Sequence, residues 1–441
     1  MTSTALLTDR YELTMLQAAL ADGTADRRCV FEVFTRRLPA GRRYGVLAGT
    51  GRVLEALADF RFGPEELEWL AAERVVDDRT VQWLAEYRFT GSISGYAEGE
   101  MFFPASPVMT VEGSFAEAVL LETVILSILN YDSAIASAAS RMTSAAIGRP
   151  CLEMGARRAH EEAAVAAARA AVVAGFAGTS NLEAGRRYGL ATIGTAAHAF
   201  TLLHDDEEQA FAAQVAAAGP DTTLLVDTYD VHRGVERAVA AAGPELGAVR
   251  LDSGDLGVLA QEVRAQLDAL GNRDTRITVT SDLDEYAIAS LAVAPVDSYG
   301  VGTSLVTGSG APTCGMVYKL VAREGSSGEL EPVAKHSIAK ASVGGRKVAA
   351  RRLDPAGRAA AEVVVTGSDE AVRAWTPDSA DLRPLVQPLV IDGVVQPGWT
   401  GPEGVRRAAA RHAASRDELP RGARRLSADE AALPTMTVTA S

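Results

Sequence analysis

The chain has 441 residues, 47% hydrophobic and 23% charged, a balance that indicates a large folded core in about two domains. Its formal net charge of −14 argues against nucleic acid as a partner, and no apolar run approaches 18 residues, which predicts no membrane span. Cys29, Cys151 and Cys314 are widely spaced and form no CxxC pair, so neither a disulfide framework nor a zinc site is indicated. A reducing cytoplasm is the expected location, because Asp9 and Arg10 stand where a secretory signal would need an apolar core.

The N-terminal part of the chain mixes helical and strand-like patterns. Residues 8–20 carry leucines at helical spacing, with Asp9 as the expected N-cap and Glu12 three residues later. Residues 93–113 are rich in aromatic and β-branched residues and are interrupted by glycine and proline. These patterns predict an α+β domain with an antiparallel sheet over residues 1–133.

A long helix with few charges follows from about Ala116, and regular strand and helix alternation then continues to about Val321. The strand candidates are CLEMG, GFAGTSN, ATIGTAAH, TTLLVDTYD, GAVRLDSGD, ITVTSDLD and VDSYGVGT. They number about seven, short of the eight strands of a complete barrel. We therefore predict an α/β protein in which an incomplete, TIM-like α/β barrel over residues 134–332 packs on the α+β domain. The β-rich segment 333–441 is expected to rejoin that first domain.

Three of the strand candidates end in aspartates, in LLVDTYD, VRLDSGD and TVTSDLD, and a fourth ends in GTAAH, residues 194–198. In a parallel barrel the carboxyl ends of the strands meet at one mouth, where the loops carry the chemistry. His198 is therefore expected among acids at a catalytic face. From composition alone, a single histidine in an apolar barrel is more often structural.

Two further features suit anionic ligands. Arg157 and Arg158, after Gly155, offer two guanidinium groups to a carboxylate or phosphate, although solvated arginines at the start of a surface helix have the same pattern. Gly302 and Thr303 place backbone N–H groups and a hydroxyl at a turn, which suits a phosphate but is a weak signal alone.

Eight motifs, taken in order, resemble those of the nicotinate phosphoribosyltransferase family. They are TDRYELT (8–14), EMGARRAH (153–160), FAGTSN (176–181), GTAAH (194–198), DTYD (227–230), RLDSGD (250–255), YGVGTSL (299–305) and PVAKHSIAK (332–340). The resemblance runs from about residue 6 to beyond residue 420, and it implies an atypical barrel packed on an α+β domain, usually in a dimer.

The resemblance implies an ATP-assisted, ligase-type enzyme of NAD salvage. Such an enzyme joins nicotinate to 5-phosphoribosyl 1-pyrophosphate (PRPP), and it gives nicotinate mononucleotide and pyrophosphate while ATP is hydrolysed. Mg²⁺ is expected as a cofactor held mainly by the pyrophosphate, and no protein ligand for it is assigned. The neighbouring subunit is expected to complete each site.

The resemblance also assigns roles to residues. His198 is the histidine that ATP phosphorylates, Asp227 accepts the N–H of its second ring nitrogen, and Asp252 orients the ribose hydroxyls and stabilises the developing positive charge. The expected substrate contacts are Asp9 and Tyr11 from the partner subunit, Arg157, Arg158, Ser180, Asn181, Thr195, Arg250, Ser253, Asp282, Gly302, Thr303, Lys335 and Lys340.

Ser180 bears on the choice of substrate, because the amide-specific relative, nicotinamide phosphoribosyltransferase, has an aspartate at this place. A carboxylate would repel the nicotinate anion, whereas a hydroxyl can donate a hydrogen bond to it. Two positions depart from the family pattern: Val343-Gly344-Gly345 replaces a Pro-Gly turn, and Ile338 replaces an acid.

Three alternatives remain open from the sequence. A quinolinate-specific barrel enzyme is disfavoured by GTAAH and by the long first domain, and an amide-specific enzyme is disfavoured by Ser180. A non-catalytic paralogue that binds phosphoribosyl ligands is disfavoured by the presence of His198, Asp227, Arg250 and Asp252.

Overall fold

A computed structural model describes residues 3–335, 343–377, 379–428 and 430–440 of the chain. The predicted contact Lys340 and the departure at Ile338 lie outside the described residues. The chain divides into two compact units, one of Met1–Ser137 with Ala311–Ser441 and one of Ala138–Gly310.

The N-terminal segment contributes five strands and most of six helices. The helices are α1 (Arg10–Asp22), α2 (Thr50–Ala58), α3 (Pro64–Ala72), α4 (Asp78–Ala85), α5 (Phe115–Val119) and α6 (Glu122–Ala145), and the strands are β1 (Arg28–Thr35), β2 (Gly45–Val46), β3 (Ser92–Tyr96), β4 (Met101–Phe102) and β5 (Met109–Ser114). The chain passes from the first unit to the second within α6.

The second unit alternates short strands with helices. The strands are β6 (Cys151–Glu153), β7 (Gly178–Thr179), β8 (Thr223–Leu225), β9 (Ala248–Leu251), β10 (Arg276–Val279) and β11 (Ser298–Val301), and the helices are α7 (Glu161–Val173), α8 (Leu182–Tyr188), α9 (His198–Leu203), α10 (Glu207–Ala218), α11 (Val231–Ala242), α12 (Leu256–Ala269), α13 (Glu285–Ser290) and α14 (Thr303–Val306). Short 3-10 turns occur at Ala156–Arg158, Gly243–Glu245 and Leu291–Val293.

The C-terminal segment returns to the first unit, and its described residues form eight strands and two helices. They are β12 (Met316–Glu324), β13 (Leu330–Pro332), β14 (Val348–Leu353), β15 (Ala359–Thr366), α15 (Asp369–Ala374), β16 (Leu382–Pro384), β17 (Val386–Ile391), β18 (Val394–Val395), α16 (Gly401–Glu418) and β19 (Thr435–Thr439), with a 3-10 turn at Arg421–Arg424.

The first unit is built on antiparallel sheets. Its largest sheet has the order β13-β12-β1-β5-β3-β17-β18, so the N-terminal strands lie at its centre and C-terminal strands flank them on both sides. Phe31 of β1 stacks on Tyr318 of β12 with ring centroids 4.8 Å apart, and both rings belong to the buried core. A second sheet has the order β16-β14-β15-β19, and β2 pairs with β4.

The boundary of the barrel differs from the prediction. Residues 311–332 were expected in the barrel, but β12 pairs along its length with β1, and β13 pairs with β12. The segment therefore belongs to the first unit, and the second unit ends at Gly310. Strand propensity is local and does not indicate which sheet a strand will join.

The second unit is a parallel half-barrel with the strand order β7-β6-β11-β10-β9-β8. The predicted incomplete α/β barrel is thus confirmed. One strand candidate was wrong, because ATIGTAAH makes only an isolated bridge between Thr192 and Thr179 instead of a strand. A parallel sheet brings the carboxyl ends of its strands to one edge, and the loops after β6 to β11 therefore meet there.

The helical stretch Phe115–Ala145 is long and apolar enough by length and composition to pass a test for a membrane span, although charged residues such as Glu122 and Asp132 interrupt it. Most of its apolar window, 67%, is buried inside the protein, and buried core helices of soluble proteins pass the same test.

Candidate active site

Many of the predicted site residues line a cavity at the carboxyl edge of the half-barrel. It has a volume of about 190 Å³ and lies wholly within the second unit. Its lining consists of Met154, Arg157, Arg158, Arg250, Asp252, Thr280, Ser281, Asp282, Gly300, Gly302 and Thr303. Arginines, aspartates and glycine backbone together suit a ligand with phosphate and hydroxyl groups.

His198 is the first residue of α9, and its imidazole is part-exposed between hydroxyl and carboxylate groups. Its Nδ1 lies 3.1 Å from the hydroxyl of Thr228. Its Nε2 lies 3.9 Å from Asp227 Oδ1 and 3.8 Å from Asp252 Oδ2. The prediction that Asp227 accepts the ring N–H was therefore wrong: Thr228 is the hydrogen-bond partner, and both carboxylates face the other nitrogen.

Asp227 follows β8, and its side chain is only 1% exposed. Its Oδ2 accepts hydrogen bonds from the backbone N–H of Asp252 at 2.9 Å and from the hydroxyl of Ser253 at 2.7 Å. Its Oδ1 is buried and accepts no hydrogen bond from any described residue. This oxygen is the one nearest to His198, so a positive charge on the imidazole would find a desolvated carboxylate close by.

Asp252, Arg250 and Thr280 form a hydrogen-bonded triangle across β9 and β10. Arg250 donates from Nε to the Thr280 hydroxyl at 2.9 Å and from Nη2 to Asp252 at 3.1 Å, and Thr280 donates to the same carboxylate. Burial acts to raise the pKa of Asp252, but the hydrogen bond from Thr280 and the charge and hydrogen bond of Arg250 outweigh it, and the pKa lies below its ordinary value. Asp252 is thereby held as a carboxylate. Arg250 also donates to Thr195 at 3.2 Å, which joins the GTAAH loop to this group.

The loops after β6 and β7 carry the remaining contacts of this unit. Arg157 and Arg158 are exposed in the 3-10 turn after β6, and both line the cavity. Ser180 is half-buried directly after β7, the sheet neighbour of β6. Asn181 is the N-cap of α8, and its side-chain oxygen accepts from Ala184 N–H at 2.9 Å, so that oxygen is already used.

Gly302 and Thr303 stand where β11 gives way to α14, and both line the cavity together with exposed Asp282. Close packing explains why position 300 is a glycine, because a Cβ there would lie 2.4 Å from the methyl carbon of Thr280. A side chain at this position would push into the wall of the cavity.

Three predicted residues belong to the first unit. Asp9 occupies the N-cap position of α1 but makes no capping hydrogen bond, since its carboxylate accepts from the Thr123 hydroxyl at 3.0 Å. Burial, together with the charge of Glu122, raises the pKa of Tyr11 to about 12, although 45% of the residue remains exposed. Lys335 is exposed.

Sequence reasoning did not identify Thr228, Thr280, Met154 and Ser281 as site residues. Thr228 and Thr280 both follow strands within motifs that had been selected for their aspartates, so position after a strand was the available signal. Ser281 has a positive φ of 129°, a conformation that sequence patterns do not reveal for serine.

The described residues contain no cluster of three or more His, Cys, Asp or Glu side chains that could hold a metal ion. Mg²⁺ commonly binds through one or two carboxylates and the phosphates of a substrate. Asp252 and Asp282, which line the cavity, fit that mode.

A parallel half-barrel with histidine, carboxylate and arginine groups at its carboxyl edge defines a barrel enzyme suited to phosphorylated substrates. Residues 6–130 match the nicotinate phosphoribosyltransferase (NAPRTase) N-terminal domain family. The chain is 58% identical to nicotinate phosphoribosyltransferase pncB1 of Mycobacterium tuberculosis over 445 residues, which cover 99% of this chain and 95% of that protein. The chain belongs to the nicotinate phosphoribosyltransferase family.

Solved structures agree with this family at the level of the whole fold. Human nicotinic acid phosphoribosyltransferase superposes with a TM-score of 0.82 at 25% identity, covering 98% of each chain. Nicotinate-nucleotide pyrophosphorylase from Pyrococcus furiosus superposes with a TM-score of 0.76 at 25% identity, covering 94% of this chain and 96% of that one.

Proposed function

We propose that this protein is a nicotinate phosphoribosyltransferase of NAD salvage. It forms a bond between the pyridine nitrogen of nicotinate and C1′ of PRPP while the bond from C1′ to pyrophosphate breaks. The products are nicotinate mononucleotide and pyrophosphate. The observation that carries this proposal is the position of His198 beside Asp227 and Asp252, at the sheet edge that also carries the cavity.

ATP is proposed as the phosphoryl donor to His198: transfer of its γ-phosphoryl group to the imidazole releases ADP, and hydrolysis of the phosphohistidine then releases phosphate. Because Thr228 bonds to Nδ1, Nε2 is the nitrogen left to attack the γ-phosphate. The imidazole becomes cationic as the new N–P bond forms, and Asp227 Oδ1 at 3.9 Å stabilises that charge.

At the ribose, Asp252 is proposed to accept hydrogen bonds from ribose hydroxyls and to stabilise the positive charge that develops at C1′. Arg250 contacts phosphate, Gly302 and Thr303 hold the 5′-phosphate through backbone N–H groups and a hydroxyl, and Asp282 aids the placement of phosphate or Mg²⁺. When bound with the substrate, Mg²⁺ neutralises the departing pyrophosphate. No protein nucleophile at C1′ is required, so the protein acts by positioning and charge compensation.

At the pyridine ring, Arg157 is proposed to bind the carboxylate, with Arg158 on phosphate or a neighbouring acid. Ser180 donates a hydrogen bond to the nicotinate anion, and the amide NH₂ of Asn181 is available because only its oxygen caps α8. These donors favour the acid over the amide.

We also propose a cytoplasmic homodimer in which Asp9 and Tyr11 of one subunit complete the site of the other, with Tyr11 stacked on the pyridine ring, while Lys335 and Lys340 contact polyphosphate. Leu7 and Tyr11 are 63% and 45% exposed. Two large apolar side chains exposed near each other in the sequence support the proposal that a second subunit covers this surface. Tyr11→Ala and His198→Ala variants should each lose ATP-stimulated transfer. Mixing the unfolded variants and refolding them together should restore about a quarter of it, because half of the dimers then carry one intact site. Failure to restore activity would contradict sites shared between subunits.

The first test is pyrophosphate release from PRPP with Mg²⁺, measured with nicotinate, nicotinamide or quinolinate, each with and without ATP. Release with nicotinate that ATP stimulates is expected. A preference for nicotinamide would contradict the role of Ser180, a preference for quinolinate without ATP would indicate the other barrel enzyme, and no release with any of them would indicate a binding protein.

The second test is His198→Ala, which should abolish the gain from ATP and leave slow, ATP-independent transfer. Phosphorylation by γ-labelled ATP, detected as an acid-labile phosphoprotein, should disappear with it. His232→Ala is the matched control, since His232 is exposed on α11 and contacts Gln266 and Glu262. Normal ATP coupling in His198→Ala would refute the phosphohistidine.

A further inference from the structure

Glu153 is the last residue of β6, and it is fully buried at the edge of the sheet that carries the site. One carboxylate oxygen accepts a hydrogen bond from the backbone N–H of Gly155 at 2.5 Å. The other accepts one from the hydroxyl of Thr179, the last residue of β7. The backbone oxygen of Glu153 accepts from Ser180 N–H at 2.8 Å. One residue therefore joins the loop after β6 to the loop after β7.

Thr179 continues this connection. Its single hydroxyl proton is donated to Glu153, and its oxygen accepts from the backbone N–H of Asn181 at 2.9 Å. Because the backbone N–H of Asn181 can only donate, Thr179 accepts that bond and keeps its own proton for Glu153. The backbone of Thr179 also pairs with Ala191 and Ile193, which precede the GTAAH loop.

Through its bond to Gly155 N–H, Glu153 also holds the turn after β6, and this turn is tightly packed. A Cβ at Gly155 would lie 2.3 Å from Val306 and 3.0 Å from the carbonyl oxygen of Gly302. The turn after Gly155 carries Arg157 and Arg158 into the cavity lining.

Burial raises the pKa of Glu153, while the hydrogen bonds from Thr179 and Gly155 act in the opposite direction. A buried carboxyl group with two donors and no cation among its described hydrogen bonds is costly to bury, so the two hydrogen bonds to the loops are what hold Glu153 in place.

We propose that Glu153 is a positioning residue that sets the spacing between the arginine-bearing loop after β6 and the Ser180-bearing loop after β7. It thereby determines how tightly and how selectively the pyridine carboxylate is bound. This inference rests on the proposed function, because it concerns the same site. Glu153 itself acts through Gly155 and Thr179 and contacts no substrate.

The test is Glu153→Gln, which keeps the shape of the side chain but places an amide NH₂ against either the Gly155 N–H or the Thr179 hydroxyl. Facing Gly155, the NH₂ would meet a second donor; facing Thr179, it would force the hydroxyl to rotate and accept where it now donates, so one of the two contacts is disturbed in either case. The KM for nicotinate should rise about tenfold, as expected for one misplaced hydrogen bond at a binding site, with the KM for PRPP within about twofold of normal. The preference for nicotinate over nicotinamide, measured as the ratio of their kcat/KM values, should fall in the same variant.

Two variants at Thr179 report on the same connection without changing Glu153. Thr179→Val removes the hydroxyl and should reproduce the rise in the KM for nicotinate. Thr179→Ser keeps the hydroxyl, so its KM for nicotinate should stay close to that of the wild type. The double variant Glu153→Gln/Thr179→Val should be within about twofold of either single variant, because both remove one connection.

Glu285→Gln is the matched control. Glu285 is also fully buried in this unit, but it bonds to Arg141 at 2.9 Å and to Ser309. It should lower the melting temperature and leave the KM for nicotinate unchanged.

A folded Glu153→Gln protein with unchanged KM values, or with both KM values raised equally, would overturn the proposal. If Glu153→Gln does not fold, equal KM values for nicotinate in Thr179→Val and Thr179→Ser would overturn it. Absence of nicotinate-dependent pyrophosphate release from the wild-type protein would instead refute the proposed function itself.

Discussion

Thr280, directly after β10, links Arg250 and Asp252, the two charged groups that line the cavity at the carboxyl end of β9. Its hydroxyl accepts from Arg250 and donates to Asp252, so it fixes both side chains and favours the ionised form of the acid. Neutral hydroxyls can therefore matter as much to this site as the charges that sequence motifs emphasise.

Thr280→Val should raise the pKa of Asp252, because one of the hydrogen bonds that lower it is removed. If ionised Asp252 is needed for transfer, the acid limb of the pH profile of kcat/KM should move to higher pH by roughly one unit. Thr278→Val is the matched control, since Thr278 lies on β10, two residues before Thr280, and bonds to Ser298 at 2.8 Å. An unshifted acid limb in stable Thr280→Val would contradict the assignment.

His198 illustrates a limit of motif reading at the residue scale. The GTAAH motif predicts a histidine at the mouth of the barrel, and the structure places it there. The identity of its partner was wrong, because Asp227 and Thr228 are adjacent in sequence and only backbone geometry decides which one reaches Nδ1.

At the scale of elements, the first turn of α1 is held against the first turn of α6 by buried Glu12. Its carboxylate accepts from the backbone N–H of Thr123 at 2.9 Å and from the Thr123 hydroxyl at 2.6 Å, and the Thr8 hydroxyl donates to it as well. The spacing of Asp9 and Glu12 predicts a helix start, and α1 does begin at Arg10. Both acids, however, bond to Thr123 of another helix instead of capping α1.

Burial raises the pKa of Glu12 from 4.5 to about 8, against the hydrogen bonds from Thr123. The folded protein therefore binds this proton more tightly than the unfolded chain, and the free energy of unfolding falls as pH rises from 4.5 to about 8. Glu12→Gln lacks this dependence, since its amide can accept from Thr123 without becoming charged. Above pH 8 it should be more stable than the wild type by on the order of 1 kcal/mol, with the difference vanishing at low pH.

Thermal unfolding of Glu12→Gln between pH 4 and pH 9 measures this effect. Glu68→Gln is the control, because Glu68 is exposed on α3 and its replacement should leave the pH dependence unchanged. Equal slopes for Glu12→Gln and the wild type would contradict a raised pKa at Glu12.

At the scale of the whole molecule, distant parts of the chain share one buried charge network within the first unit. Arg351 is fully buried and pairs with Glu362 at 2.8 Å, and Arg383 pairs with Glu100 at 2.9 Å. The hydroxyl of Tyr96 donates to Glu362 at 2.7 Å. The network therefore ties the C-terminal strands β14, β15 and β16 to the N-terminal segment.

Arg351→Met should lower the free energy of unfolding of the first unit by about 3–5 kcal/mol, because Glu362 would be left as a buried charge without its main cation. Arg352→Met is the matched control: Arg352 is the next residue, is 37% exposed and lies 3.8 Å from Asp381, so its loss should cost about 1 kcal/mol or less. Denaturant unfolding of both variants tests this. Equal stabilities would contradict a structural role for the buried network.

Local patterns were sufficient for much of this protein. Alternating strand and helix signals predicted the incomplete barrel, aspartates after strands marked the edge that carries the cavity, and the ordered motifs indicated the family, since each of these depends on near neighbours in the chain. Long-range contacts settled the rest. Four features depend on which distant groups come within hydrogen-bonding distance, and propensity carries no information about that. They are the pairing of β12 with β1, the single bridge in ATIGTAAH, the bond from Thr228 to His198 and the burial of Glu12.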